Sequence, residues 1–218
     1  MTSAHRPLRR MTAALLAALA CVLLRPAPAS AQTCVPEIVG TDTTSSQGTI
    51  ACYFGKAVGQ TFFATDTLIR SISVWQQRGD FYEHMALWVA RADSTGAPDL
   101  IRGLVYMGAR YFNQLDSHIR YAFDPPLVLP SPGLYGFFFQ DVCGTLFALY
   151  YNRTDDLFPT GRIWGTGRTI GFGCYIDPAP FYYFDDAQTD LIFEVEFCNT
   201  TTTPVRRTSW GQLKMRYR

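Results

Sequence analysis

Residues 191–197 read Leu-Ile-Phe-Glu-Val-Glu-Phe, and this stretch decides the predicted fold. Its apolar residues at 191, 193, 195 and 197 alternate with Glu194 and Glu196, which is the period of a β-strand with one buried and one solvated face. No segment of ten or more residues shows the 3.6-residue period of a helix, and only residues 99–103 suit a helical turn. Strand patterning therefore dominates the chain.

Shorter strand-like segments lie upstream, separated by turn-forming residues. The segments are 59–64, 69–75, 85–89, 104–107, 119–123, 134–139 and 146–151. Gly, Pro and Asp cluster as turn formers at 96–98, 124–126, 130–133, 159–161 and 177–180. Eight or more strands without crossover helices predict an all-β, mainly antiparallel β-sandwich of the jelly-roll type, in one domain.

The start of the chain has the features of a secretory leader. Basic residues precede the apolar run 11–24, and Ala-Ser-Ala at 29–31 supplies the small-x-small site that signal peptidase cuts. The run is too short to span about 30 Å of hydrocarbon. We therefore predict a signal peptide over residues 1–31 and a mature protein that is secreted or held at the cell surface. A lipoprotein acylated at Cys21 is the alternative.

Composition and charge divide the rest of the chain into a folded body and a tail. All 32 aromatic residues follow residue 31, and such a density of rings favours strands. Residues 32–198 carry 18 acids and ten bases, so this body lacks the basic footprint that nucleic-acid binding needs. We predict a β-sandwich domain over 32–198, and a Thr/Pro linker with a basic tail over 199–218. Residues 206–218 suit a tag for sorting machinery, a contact with an anionic envelope surface, or a disordered extension.

Three short motifs carry a resemblance to a known class of domain. They are Gly-Gln-Thr-Phe at 59–62, Val-Leu at 128–129 followed by Pro-Gly-Leu-Tyr at 132–135, and Asp-Leu-Ile-Phe at 190–193. Across residues 56–198 the chain resembles secreted bacterial β-sandwich modules of the galactose-binding-like, jelly-roll kind. The resemblance implies an accessory or surface domain without catalytic residues.

Five cysteines remain after residue 31, and an exported protein can oxidise them. An odd number cannot pair completely, so two disulfides and one thiol are expected. We predict a Cys143–Cys174 bridge, because both residues lie at the ends of neighbouring strand segments. Cys34 then pairs with Cys52 or with Cys198, and the spacing does not choose between them. The sequence contains no C-x-x-C motif that would indicate a metal site.

Two groups of side chains are candidates for binding. Aromatic residues cluster after the Pro-x-Pro turn and in the 161–167 loop, where sugar rings could stack on them, although core packing is the alternative. The candidate ligand contacts are Trp164, Tyr175, Phe181, Tyr182 and Tyr183. Oxygen-rich loops suit Ca²⁺, although loop aspartates also cap turns. The candidate calcium ligands are Asn152, Asp155, Asp156, Asp185 and Asp186.

Common catalytic motifs are absent from the sequence. It contains no G-x-S-x-G, no H-E-x-x-H and no phosphate-binding glycine loop, and only two histidines follow residue 31. We therefore predict a non-catalytic module that binds a glycan or a cell-surface component. The alternatives are a structural protein that associates with itself and, third, a glycoside hydrolase that uses two carboxylates.

Overall fold

The computed structural model describes residues 34–41, 46–53, 56–78, 82–113, 116–141, 146–153, 161–166, 178–184 and 188–200. These residues form thirteen β-strands and no helix, and all of their strand pairings are antiparallel. None of them forms a helix of the length and apolarity needed to cross a membrane. The predicted signal peptide and residues 201–218 of the tail lie outside the described residues. The prediction of an all-β antiparallel sandwich is confirmed.

The predicted strand segments fall within observed strands, except that 191–197 is divided between β12 and β13, whereas β1, β2, β10 and β11 were missed. The strands are β1 Cys34–Gly40, β2 Gly48–Tyr53, β3 Ala57–Ala64, β4 Leu68–Trp75, β5 Tyr82–Arg91, β6 Leu104–Asn113, β7 His118–Val128, β8 Gly133–Asp141, β9 Leu146–Asn152, β10 Ile163–Gly165, β11 Phe181–Tyr182, β12 Asp190–Leu191 and β13 Phe193–Thr200.

Two large sheets and one small sheet build the sandwich. The orders are β1-β13-β4-β7, β11-β10-β3-β8-β5-β6 and β12-β9-β2. Aromatic rings join the large sheets: Phe62 lies 6.2 Å from Phe197, and Phe137 lies 5.4 Å from Phe193, between ring centroids. All four side chains are fully buried, so the main core lies between these two sheets.

The stretch 191–197 is divided between two sheets at Ile192. Leu191 ends β12, which pairs with β9, whereas Phe193 begins β13, which pairs with β1 and β4. The Ile192 amide donates to the carbonyl of Tyr150, and its carbonyl accepts from the amide of Trp75. Ile192 is also buried, against the period-two pattern, because it lies where the chain passes from one sheet to the other.

The predicted turn at 124–126 is wrong, because these residues lie inside β7. Opposite them the register shifts: Ile69 pairs with Leu127, but Ser71 pairs with Ala122. Two consecutive prolines lack the amide hydrogens that a ladder needs, so the strand bulges here and does not reverse. At 99–103 the expected helical turn is present, with the Gly103 amide donating to the carbonyl of Asp99.

One ion-pair network lies on the exposed face of the four-stranded sheet. The Glu196 carboxylate accepts from the Ser71 hydroxyl at 2.9 Å and from the Arg120 guanidinium at 2.6 Å, and Arg70 lies 3.3 Å away. Burial raises the pKa of Glu196, but these hydrogen bonds and positive charges outweigh it and leave the pKa below its usual value.

The structure describes two cysteine side chains, and they narrow the predicted pairings. Cys52 is buried in the core and belongs to no disulfide, so the Cys34–Cys52 alternative is wrong. Its side chain lies on β2 among the packed apolar residues of the main core. Cys198 is disulfide-bonded. Cys143 and Cys174 lie outside the described residues, and their bridge stays a prediction.

Candidate functional site

A straight row of side chains crosses the outer face of the six-stranded sheet. The register aligns Tyr182, Trp164, Gly59, Phe138, Trp88 and Met107, one residue from each strand between β11 and β6. Their chain neighbours, such as Phe137, point into the main core, so this row points away from it. Phe138 and Trp164 form the middle of a second, smaller apolar cluster. The row is therefore buried at its centre and exposed at its ends, where Tyr182 is 41% and Met107 58% exposed.

A pocket of about 230 Å³ lies beside the Tyr182 end of this row. The strands supply Thr61, Leu134, Trp164 and Tyr182, Gly161 and Arg162 lie directly before β10, and the loop between β5 and β6 supplies Thr95 and Gly96. Backbone bonds fix the strand side: the Thr61 amide donates to the Arg162 carbonyl at 3.0 Å, and the Arg162 amide donates to Thr61 Oγ1 at 2.9 Å. Because Arg162 and Trp164 are two residues apart on extended chain, both side chains share this face.

Arg162 and Trp164 both pack against the ring of Tyr182. The guanidinium carbon of Arg162 lies 4.7 Å from the Tyr182 ring centroid, and the Trp164 ring centroid lies 4.1 Å from it. These contacts hold a cation and two aromatic groups at one wall of the pocket. Trp164 is only 4% exposed, and its Nε1–H has no hydrogen-bond partner among the described residues. A buried donor without an acceptor is unusual, and because this nitrogen is closed to solvent it is not one of the groups that the pocket offers to a ligand.

The loop between β5 and β6 forms the opposite rim. Asp93 organises it by accepting from the Thr95 amide at 2.7 Å, the Thr95 hydroxyl at 2.6 Å and the Ala97 amide at 3.1 Å. Hydrogen bonds from Thr95 lower the pKa of Asp93, so its carboxylate stays ionised. Gly96 has φ +86°, a conformation that favours glycine. The loop then crosses the sheet at Pro98.

Close packing fixes the position of this rim over the sheet. A Cβ atom on Gly136 would lie 2.5 Å from Pro98 Cγ, so the absence of a side chain at Gly136 allows the loop to approach. Ala97 and Leu100 pack on the small apolar cluster that also contains Trp164. The rim and the strand wall are thus attached to the same cluster.

The structure divides the predicted aromatic site. Tyr182 and Trp164 line the pocket, but Trp164 lies in strand β10 rather than in a loop, and it is buried. Phe181 is 44% exposed and its ring lies over Gly165, while Tyr183 stacks against Phe181 and contacts Lys56. Because side chains alternate between the two faces of an extended chain, the rings of Phe181 and Tyr183 point away from the face that carries Tyr182. Tyr175 lies outside the described residues.

Several residues of the pocket escaped prediction from sequence. Thr61, Thr95 and Arg162 meet only because β3, β10 and the β5–β6 loop are brought together by the fold. Their spacing in the chain gives no sign of this contact. The glycines at 161 and 165, on either side of Arg-Ile-Trp, are the one local signal that the segment approaches other backbone closely.

The predicted calcium site is not tested by the described residues. Asp155, Asp156, Asp185 and Asp186 lie outside them, and no group of three or more His, Cys, Asp or Glu in the described chain could hold a metal ion. Asn152 is described and is buried on β9, opposite Asp190. Calcium therefore stays a prediction that depends on the aspartates of the two loops.

A buried polar contact anchors β3 beside the pocket. Gln60 Nε2 donates to Asp190 Oδ1 at 2.6 Å, and the Leu191 amide donates to Gln60 Oε1 at 3.1 Å. Gln60 and Asp190 are fully buried, and Gln60 lies opposite Ile163 of β10. No carboxylate from the described residues lines the pocket itself, since Asp190 and the buried Asp141 lie elsewhere.

At the other end of the row, β6 forms the edge of the six-stranded sheet. It is ten residues long and pairs with β5 alone among the described strands. Leu104, Met107 and Tyr111 are exposed along it, with Tyr111 74% exposed. An edge of this length with apolar side chains is able to accept another strand.

No protein-family model matches the chain, and no curated protein matches it either.

Proposed function

We propose that this protein is a non-catalytic carbohydrate-binding module, secreted or held at the cell surface, and that a sugar residue occupies the pocket beside Tyr182. The observation that carries the proposal is the juxtaposition, in one open pocket, of the Arg162 guanidinium, the exposed Tyr182 ring and the Thr95 hydroxyl. The resemblance to galactose-binding-like modules and the predicted secretory leader support the same proposal.

The size and the chemistry of the pocket suit one sugar ring. Its volume of about 230 Å³ lies below the roughly 300–1,000 Å³ typical of sites for drug-sized ligands. The Tyr182 ring and Leu134 supply apolar contact, and Arg162 supplies donors. The Thr95 hydroxyl gives its proton to Asp93, so its oxygen is available as an acceptor for a sugar hydroxyl.

A glycan array followed by calorimetric titration tests the proposal. We expect binding to a defined set of glycans, accompanied by a change in tryptophan fluorescence because Trp164 lines the pocket. Tyr182→Ala should lower the affinity tenfold or more. Tyr111→Ala is the matched control, since it removes an exposed ring from β6 at the far end of the same sheet and should leave affinity unchanged. A silent array, or equal losses in both variants, would contradict the proposal.

The exposed β6 edge favours a second candidate function, self-association. Two copies could pair through β6 and continue the six-stranded sheet, because β6 pairs with β5 alone among the described strands and Met107 on it is exposed. Sedimentation velocity over a hundredfold range of concentration tests it. Met107→Lys places a charge on the edge and should shift any dimer to monomer, whereas a monomer at every concentration would exclude this function.

A further inference from the structure

We propose that the sugar recognised in this pocket is acidic, and that its carboxylate binds the Arg162 guanidinium. The inference rests on the proposed carbohydrate-binding function and names the class of ligand for the same site. Its basis is the balance of donors, acceptors and charges around the pocket.

The pocket offers more donors than acceptors. Arg162 presents guanidinium N–H groups at the wall formed with Tyr182. The Thr61 hydroxyl is already occupied, because it accepts from the Arg162 amide and donates to the Arg162 carbonyl at 3.4 Å. Among side chains of the described lining, the Thr95 oxygen and the Tyr182 hydroxyl, which can also donate, are available to accept. A ligand rich in acceptors therefore matches this wall better than one that brings only hydroxyls.

The charge of the pocket points the same way. Arg162 is the single charged residue of the described lining, and it packs on the Tyr182 ring without a carboxylate at ion-pair distance among the described residues. The acid on the rim, Asp93, is not among the lining residues of the pocket, and its Oδ1 accepts from three donors of its own loop. A neutral sugar is commonly held by carboxylates that accept from its hydroxyls, and this described wall has none.

The net acidity of residues 32–198 does not oppose this inference at short range. Charges more than about 8 Å away are largely screened at physiological ionic strength. A carboxylate in contact with the guanidinium instead gains a charge-assisted, bidentate hydrogen bond. Affinity for an acidic sugar should consequently fall as salt concentration rises, whereas contacts with a neutral sugar should depend on salt only weakly.

The test is a glycan array on which each carboxylate-bearing glycan is printed beside its methyl ester, followed by titration of the best pair. Esterification removes the charge and keeps the sugar ring. We expect the acid to bind about tenfold or more tightly than its ester, the range expected for a charge-assisted hydrogen bond. Arg162→Gln should abolish the preference, and Arg162→Lys should retain part of it with weaker binding. Arg78→Gln, at an exposed arginine beyond β4, controls for the loss of one charge.

The outcomes separate this inference from the function on which it rests. Equal binding of acids and esters, lost in Tyr182→Ala, would overturn the acidic ligand and leave carbohydrate binding intact. A silent array would overturn both. If Arg162→Gln unfolds, the Arg162→Lys variant and the salt dependence of the wild-type protein still test the role of Arg162. A preference for the acid over its ester that does not change with salt concentration would overturn that role.

Discussion

The buried glutamine of β3 gives a stability prediction whose size can be worked out from its contacts. Gln60→Met keeps the length of the side chain and removes its polar atoms, so little cavity forms. Two hydrogen bonds are lost, from Gln60 Nε2 to Asp190 and from the Leu191 amide to Gln60. A hydrogen bond to a carboxyl contributes about 1.5–3 kcal/mol when it is ionised, and a neutral one about 0.5–1.5 kcal/mol. We expect the free energy of unfolding to fall by about 2–4 kcal/mol.

Urea unfolding followed by tryptophan fluorescence measures this loss. The midpoint should fall with an unchanged m-value, because the surface exposed on unfolding is the same. Gln77→Met is the matched control: it makes the same change at an exposed position and should stay within about 0.5 kcal/mol of wild type. A Gln60→Met protein as stable as its control would refute the reasoning.

Three other predictions follow from contacts elsewhere in the chain. Cys34–Cys198 should appear as a linked pair in peptide maps of the unreduced protein, and reduction should destabilise the fold by up to about 5 kcal/mol because a long loop is released; a thiol at Cys198 in the oxidised protein would exclude the bridge. Glu196 has a lowered pKa, so its contribution to stability is complete above the unfolded-state value near 4.5 and is lost as pH falls through the folded-state pKa; a Glu196→Gln protein should therefore lose less stability than wild type when acidified, as measured by urea midpoints. Gly136→Val should push Pro98 away, costing about 1–3 kcal/mol and weakening glycan binding measured by titration, and an unchanged affinity would show that the rim does not shape the pocket.

The sequence predicted the strands whose two faces differ in polarity. β13 was visible because Glu194 and Glu196 interrupt its apolar residues, and the same contrast reveals β4 and β7. The sequence could not show that the strand is interrupted at Ile192. An apolar residue buried where the chain passes between two sheets is of the same residue type as one buried on a strand face. The short strand β10 was missed for a related reason: all three of its residues are buried, so no alternation remains.

Only some residues of the candidate site could be predicted from the sequence, for a physical reason. Tyr182 and Trp164 belong to rare, ring-bearing types, and their concentration near residues 161–184 drew attention. The sequence does not show the strand register that places Thr61 beside Arg162. It also does not show on which face of the sheet each ring lies. A one-residue change of register would send Phe181 rather than Tyr182 to the pocket face, and sequence alone cannot fix that choice.

The two candidate functions use opposite ends of the same row, which makes them separable by experiment. Tyr182 and Met107 are five strand spacings apart, about 24 Å at 4.8 Å per spacing, so variants at the two ends should act additively. If two copies pair through β6, eleven spacings, about 53 Å, separate their pockets along the continued sheet. A short oligosaccharide cannot bridge that distance, whereas a polymer with repeated epitopes can, and would gain avidity. Association through β6 should therefore strengthen binding to polysaccharide without changing the affinity for a monosaccharide. If Met107→Lys weakens binding to the polysaccharide and to the monosaccharide equally, the two ends of the sheet are coupled and the two functions are not separable.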